Sequence, residues 1–329
     1  MIAGPIAITR PVSDAWRIEP LLDAGSTRTS RVRGGVLPPE LARRFGSDLT
    51  VPLQRAGPTI IANFVTTLDG VVAFDTAGHS GGREVSGGFA PDRFLMGLLR
   101  ATADAVLVGA GTVRSGSGHV WTPDHVDPSS ADAFSAWRAR LGLAAPQPTT
   151  VVVSASGDID PGHPGLNRAD VPVLIVTTGV GSGRLGRMEL PGNVEVATVT
   201  GADAPIDGQG LRSVLAERGF ELVLCEGGPT LFGGLIGAGL IDELFLTVAP
   251  QIAGRSVDMP RLALVEGLGY QIGSAPWASL SSVMRAGDHL FLRYALHRLE
   301  LNRPRRRTAR PDRVPSASHV LPRRPSAVR

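Results

Sequence analysis

The sequence predicts an α/β protein of three layers, in which a mostly parallel sheet with an antiparallel edge is covered by helices on both faces. Three observations predict it. From Thr59 onward, short β-rich apolar runs alternate with helix-like stretches, several runs end directly in glycine turns, and the last two runs have no helix between them. The strand candidates are Thr59–Thr66, Ala105–Gly109, Thr149–Ser154, Val171–Thr177, Val194–Val199, Glu221–Cys225, Glu243–Val248 and His289–Leu296. Helix candidates fall at Pro91–Ala103, Ala131–Leu143, Gln209–Gly219 and Pro229–Gly239. Glu243–Val248 and His289–Leu296 are expected to pair antiparallel at the sheet edge.

Three segments follow from composition. Residues 1–56 are weakly periodic, with one helix candidate at Pro38–Phe45, and read as an irregular extension; residues 57–300 form the body. The stretch Ala131–Gln147 is more polar and is expected to stand off that body. Residues 301–329 read as a disordered Arg/Pro-rich tail, because so few large apolar side chains cannot offset the entropy of ordering. Nine arginines and one acid, Asp312, give residues 303–329 a charge of +8 within a chain of net +3, which leaves the remainder at −5. No aromatic is interleaved for base stacking, so a nucleic-acid role is not expected.

Composition also removes functions. With 329 residues, 43% of them hydrophobic, the chain can bury a large core. No apolar run reaches the roughly 18 residues that span a bilayer, and Met1–Pro20 lacks a charged start followed by an apolar core, so a cytoplasmic protein without a membrane partner is expected. Cys225 is the single cysteine, which excludes an internal disulfide and a zinc–cysteine site; no metal is expected. There is no lysine: all 33 basic residues are arginines. Schiff-base chemistry, a Walker-A site and a lysine base are therefore excluded.

Four clusters carry candidate chemistry. The strand Asn63–Thr66 runs into Thr67-Leu68-Asp69-Gly70, delivering hydroxyls and an acid to a strand's carboxyl end, where open α/β sheets bind ligands; Asp-Gly is also an ordinary turn. Glycine and serine are dense from Gly78 to Gly88, as in a ligand-covering loop or a plain linker, and Asp92 reads as a first-turn helix charge before Phe94 and Leu98. Arg100, at that helix's far end, suits the helix dipole or an anionic substrate. Ala105–Gly109 followed by Ala110, Gly111 and Thr112 is similar to the start of a dinucleotide-binding fingerprint, without its third glycine; Arg114 beside it would suit a 2′-phosphate. Lastly, Leu222–Cys225 ends in Glu226, then Gly227 and Gly228, with Pro229 at a helix's first position. Free N–H groups at such a helix start face anions. Parallel strands bring these ends to one side of the sheet, so the clusters form one constellation.

Together they resemble the pyrimidine reductase family of riboflavin biosynthesis, which has a dihydrofolate-reductase-like fold. The resemblance spans about residues 58–297 and rests on Asn63–Gly70, Ser80-Gly81, Asp92-Arg93 with Leu98-Leu99-Arg100, Asp104–Arg114, Glu226–Leu231 and Ile241–Leu244. It implies NADPH-dependent reduction of the ribosyl group of 5-amino-6-(5-phosphoribosylamino)uracil to its ribitylamino product, by a homodimer. It further implies that Ala73, Gly109, Ala110, Gly111, Thr112, Arg114 and Ser154 contact the cofactor. Gly227, Gly228, Pro229, Thr230, Leu231, Phe232, Gly233 and Gly234 would hold its pyrophosphate. Ser80, Arg100 and Glu226 would contact substrate, and Asp69 and Glu226 are the candidates for handling the proton. The sequence departs from the family where bifunctional members carry Asp-Asp-Pro: Ser115-Gly116-Ser117-Gly118 stand here. One cysteine also cannot build the zinc site of the deaminase half. Alternatives are a dihydrofolate-like or other small-heterocycle reductase on the same fold, or a non-catalytic nucleotide-binding or tail-driven nucleic-acid-binding protein.

Overall fold

Strands buried on both faces need helices above and below them, and the computed structural model supplies both layers. It describes residues 16–24, 31–76, 81–116, 118–200 and 206–297. Ser80 and the tail lie outside the described residues. The N-terminal segment contributes β1 (Glu19–Asp23), β2 (Val32–Gly35), α1 (Pro39–Phe45) and β3 (Leu49–Pro52). The body continues with β4 (Thr59–Thr66), β5 (Val71–Ala73), α2 (Gly82–Ser86), α3 (Ala90–Thr102), β6 (Ala105–Gly109), α4 (Ala110–Ser115), α5 (Pro123–Val126), α6 (Ala131–Arg140), β7 (Thr149–Val153) and β8 (Val173–Thr178). It closes with α7 (Gly179–Leu185), β9 (Val194–Thr200), α8 (Gly208–Glu217), β10 (Leu222–Gly227), α9 (Pro229–Gly237), β11 (Glu243–Val248), β12 (Leu262–Ala263), β13 (Ala278–Ala286) and β14 (His289–Leu296).

Among the described residues the main sheet runs β1-β13-β14-β11-β4-β10-β6-β7-β8-β9. Every pairing from β11 to β9 is parallel, and β14, β13 and β1 extend the sheet antiparallel, as the missing helix between the last runs predicts. All eight residues of β4 are buried, because it lies near the middle of the sheet with a helical layer on each side. On one face Ile61, Val106, Val108 and Leu224 pack against Phe94, Leu98, Phe134 and Trp137 of α3 and α6. On the other, Ile60, Ala62, Leu107, Val223 and Cys225 pack against Leu211, Val214, Phe232 and Leu235 of α8 and α9.

Two expectations are corrected. Residues 16–52 are not irregular: β1 joins the main sheet, β2 and β3 form a hairpin, and Ile18, Leu41, Phe45 and Val51 are part of the α3-side core. Arg33 fastens that hairpin by an ion pair to Asp104 at 3.2 Å. The polar stretch Ala131–Gln147 does not stand off the body either. Trp137 Nε1 donates to Thr102 Oγ1 (3.0 Å), and the buried Arg138 guanidinium donates to the carbonyls of Arg100, Ala101 and Ala103, the last at 2.7 Å. These are acceptors that the end of α3 leaves without intrahelical partners, so the arginine's charge sits where the helix needs it.

The lone cysteine lies inside the α8–α9 side of the core, where burial pushes the Cys225 thiol up to about 12. Native protein is therefore expected to give no reaction with a thiol reagent at pH 8, and one equivalent after denaturation. Prompt native labelling would mean that this face of β10 opens.

Candidate active site

Two glycine turns meet at the carboxyl end of the sheet. β6 ends at Gly109, which caps α4, and β10 ends at Gly227, two residues before Pro229 opens α9. Neither helix has a side-chain cap, so their first N–H groups are not satisfied by side chains. Gly227 takes φ +87°, a left-handed conformation that favours glycine, and a Cβ there would stand 2.8 Å from the Phe64 ring. A Cβ on Gly109 would lie 3.7 Å from Gly228 N, and one on Gly228 would lie 3.2 Å from Thr112 Oγ1. The turns thus pack directly on each other. Around them the space is open: a Cβ on Gly111 or Gly234 would meet nothing within 4 Å. Beyond the end of the neighbouring β7, Ser154 Oγ is buried without a hydrogen-bond partner.

These features fit a dinucleotide: free N–H groups for its phosphates, a close glycine approach, and an orphaned hydroxyl alongside. The expected cofactor residues divide by orientation. Thr230 and Gly234 face outward, whereas Phe232 packs on Phe64 with ring centroids 4.8 Å apart, and a Cβ on Gly233 would strike Glu266 O at 2.4 Å. Only the main chain of those two residues is available to a ligand. Leu231 leans on Gly109, and Ala110 is buried. Arg114 is exposed but tied to the loop after β7, donating to Asp158 O at 3.0 Å. Ala73 is buried in the ribbon that β5 forms with β12, opposite Leu262.

A second, polar cluster lies on the α3 side of the same sheet end. Arg100, fully buried, donates in a fork to Glu226: Nε to Oε1 at 2.8 Å and Nη2 to Oε2 at 2.6 Å. Its Nη1 donates to the carbonyls of Val120 (3.2 Å) and Thr122 (3.1 Å). Nη2 also meets His119 Nε2 at 2.9 Å. Arginine is a donor only, so that contact requires His119 Nε2 to accept and places the ring proton on Nδ1. Burial, then the Arg100 charge, pushes His119 down to about 2, so it stays neutral. Arg100 and Glu226, both expected at the substrate, are thus brought together, with the arginine behind the glutamate and holding it.

Asp69 is placed differently. Its carboxylate accepts from Thr67 Oγ1 (2.5 Å), Ala253 N (3.1 Å) and Gly254 N (2.7 Å), and these bonds hold it down to about 2. Its work is to anchor the 253–254 loop to the turn after β4. Reasoning from sequence gave no site role to three residues of the polar cluster: Asn63, His119 and Asp92. Asp92 had a readable signal, since it shares the i, i+3, i+7 stripe of Leu95 and Leu99, an apolar face that a merely solvated acid avoids.

The comparisons with known proteins identify the family and the fold. The RibD C-terminal domain family matches residues 58–269. A 2,5-diamino-6-ribosylamino-4(3H)-pyrimidinone 5′-phosphate reductase from Methanothermobacter thermautotrophicus is 28% identical over 240 residues, 73% of this chain and 98% of the relative. The riboflavin biosynthesis protein RibD of Chlamydia pneumoniae is 29% identical over 196 residues, and the alignment spans 47% of its length, about half. Among solved structures, a pyrimidine reductase-like protein from Corynebacterium diphtheriae superposes with a TM-score of 0.55 at 21% identity, covering 73% of this chain and 92% of that one. A deaminase/reductase from Thermotoga maritima gives 0.54 at 19%, covering 73% and 57%. The fold is that of these reductases, and the chain, matched over residues 58–269, belongs to the RibD C-terminal domain family.

Proposed function

We infer that the chain is an NADPH-dependent reductase of riboflavin biosynthesis, converting the ribosyl group of a ribosylaminopyrimidine phosphate to its ribityl form. The sequence reading expects 5-amino-6-(5-phosphoribosylamino)uracil; the Methanothermobacter relative is named for the 2,5-diamino pyrimidinone. One observation supports the reading: the Gly109 and Gly228 turns touch at the sheet end where Arg100 holds the Glu226 carboxylate, an arrangement suited to phosphates beside an acid. Gly109–Thr112, Ser154 and the main chain of Gly227–Gly234 would hold the dinucleotide, which when bound supplies the hydride for C1 of the ring-opened sugar. Glu226, fixed in orientation by a bidentate partner, accepts hydrogen bonds from the pyrimidine and positions it. Asp69 stands ionised at neutral pH and serves as a loop anchor, which leaves Glu226 as the acid beside the reacting sugar. The 2′-phosphate would meet Arg114, and this pairing is what favours NADPH over NADH. A cytoplasmic homodimer completes the reading, with light scattering of the full chain as the check on its mass.

Gly111→Glu tests the cofactor site. Its Cβ would enter open space at an exposed position, so the melting temperature should stay within about 2 °C of wild type. A carboxylate at the first turn of α4 would repel a diphosphate, and NADPH Kd measured by fluorescence should rise by at least about tenfold. Unchanged NADPH affinity would remove this turn from the site. NADPH oxidation with each pyrimidine phosphate and with dihydrofolate separates the proposed activity from a dihydrofolate-like one.

A further inference from the structure

Asp158, in the loop after β7, is an acid that the reaction, as derived, does not use, and two arginines share it. Arg184 of α7 donates from Nη2 to its Oδ1. Arg114 of α4 meets the other oxygen: Nη1 lies 3.8 Å from Oδ2 and donates to the Asp158 carbonyl at 3.0 Å. Among the described residues the Arg184 guanidinium bonds to nothing else, whereas Arg114 is held by the main chain as well. Two positive charges thus divide one negative charge. The side chains of Arg114, Asp158 and Arg184 are 53%, 49% and 49% exposed, so a ligand reaches all three from solvent.

The backbone fixes this trio beside the glycine turns. Gly109 is in register with Val153, so the ends of β6 and β7 are neighbours, and Ser154 opens the loop that carries Asp158. That loop is clamped to β8 and α7. Thr177 Oγ1 donates to Ser154 O at 2.6 Å and Thr178 Oγ1 to Ala155 O at 2.7 Å. Gly157 takes φ +63°, and a Cβ there would stand 2.5 Å from Gly181 O, which keeps the loop and the helix start in contact. Strand order then sets a direction. The order β4-β10-β6-β7-β8 leads from Glu226 of β10, past the touching turns, to β7 and β8. A dinucleotide with its diphosphate on those turns and its nicotinamide beside Glu226 carries its adenosine half over β7, about 4.8 Å further along the sheet. There Ser154, 4% exposed, keeps an Oγ without a hydrogen-bond partner, and the arginine pair stands on the loop beyond.

We propose that Asp158 is an internal counter-ion standing where the adenosine 2′-phosphate goes, and that Arg184, once released from it, joins Arg114 as the second cation of that subsite. A phosphate monoester carries about −1.5 to −2 charges at pH 7 and three acceptor oxygens, so it matches two guanidinium groups better than one carboxylate does. Arg114 keeps its bond to the Asp158 main chain when the carboxylate rotates away, and Arg184 changes partner. The exchange is easy because ion pairs this exposed are weak. A 2′-hydroxyl brings no charge and leaves Asp158 in place. The competition therefore acts on the phosphorylated dinucleotide, while affinity for the unphosphorylated one is independent of both residues. This inference rests on the reductase reading and names how its cofactor is chosen.

The test is binding to the purified full chain, read by fluorescence for NADPH and NADH and by calorimetry for 2′,5′-ADP and 5′-AMP, which carry the same difference without a nicotinamide. Arg184→Gln should raise the Kd of NADPH and of 2′,5′-ADP by about tenfold, with NADH and 5′-AMP changed by less than about twofold. Asp158→Asn should do the reverse, lowering the Kd of the 2′-phosphorylated pair by about three- to tenfold, and the gain should fade as salt screens it. Melting temperatures of both variants should stay within about 2 °C of wild type, since both positions are exposed. Unchanged affinities, an Asp158→Asn that weakens NADPH, or an Arg184→Gln that weakens both dinucleotides alike would overturn the counter-ion role while leaving the reductase intact. If 2′,5′-ADP binds in an Arg184-dependent way yet NADPH is oxidised with no pyrimidine phosphate, the proposed activity fails and the subsite stands; if no nucleotide binds, both fall.

Discussion

Arg100→Ala is expected to lower the folding free energy by about 3–5 kcal/mol, the cost of leaving a buried partner charge uncompensated. The side chains of Arg100 and Glu226 are 1% and 8% exposed. Removing the guanidinium strands the Glu226 carboxylate and also takes the donors from the carbonyls of Val120 and Thr122. Glu226→Leu should be costly for the mirrored reason, since it strands the arginine. The double variant Arg100→Met/Glu226→Leu removes both charges at once, and should be more stable than either single variant, because an apolar pair of similar volume replaces a buried ion pair at little cost. Urea denaturation of the three variants measures this. Activity separates from stability here: if Glu226 positions the pyrimidine, the double variant folds but does not turn over. Single variants costing less than about 1 kcal/mol would show that water reaches the pair, as it does in surface salt bridges.

The sequence made the sheet legible wherever a strand is buried on both faces. Ile60, Ala62 and Phe64 face one helical layer and Ile61 and Val65 the other side, so β4 reads as a continuous apolar run with nothing else it could be. β13 was not read, because Ala278–Ala286 is serine-rich with most of its residues partly or fully exposed, and its strand conformation depends on pairing with β14 and β1. The hairpin of β2 and β3 is similarly non-local: its glycines, Gly34 and Gly35, resemble a linker until Arg33 finds Asp104, 71 residues away. The site shows the same division. Gly109, Gly227 and Gly228 announce themselves as turns after apolar strands, but nothing local says that the two turns touch. Arg100 and Glu226 were each legible as polar residues near a strand end; that they bind each other is a property of β10 lying between β4 and β6 under α3. Trp137 and Arg138 gave α6 a polar look because an arginine's destination, three carbonyls at the end of α3, cannot be read from its own neighbours.

Asp92→Asn should stabilise the protein at neutral pH, and the pH dependence shows why. Desolvation raises Asp92 from an ordinary 3.8 to about 6 in the folded chain, against smaller opposing contributions from the Thr247 and Ser86 hydroxyls. Between those two values the folded state keeps a proton that the unfolded chain releases. The contribution of Asp92 is therefore fully present below about pH 4 and is lost as pH rises through about 6, a difference of about 3 kcal/mol at about 1.4 kcal/mol per unit. An amide keeps the shape without the charge, so denaturant midpoints at pH 7 should rise by the equivalent of about 1–3 kcal/mol, and the decline in stability from pH 4 to 6 should shallow. Glu243, also raised by burial, retains its own share of that decline in both proteins. Asp69 does not interfere: held at about 2, it contributes above 3.8 and is lost only as pH falls toward 2. No gain at pH 7 would mean that Asp92 is solvated or paired in solution.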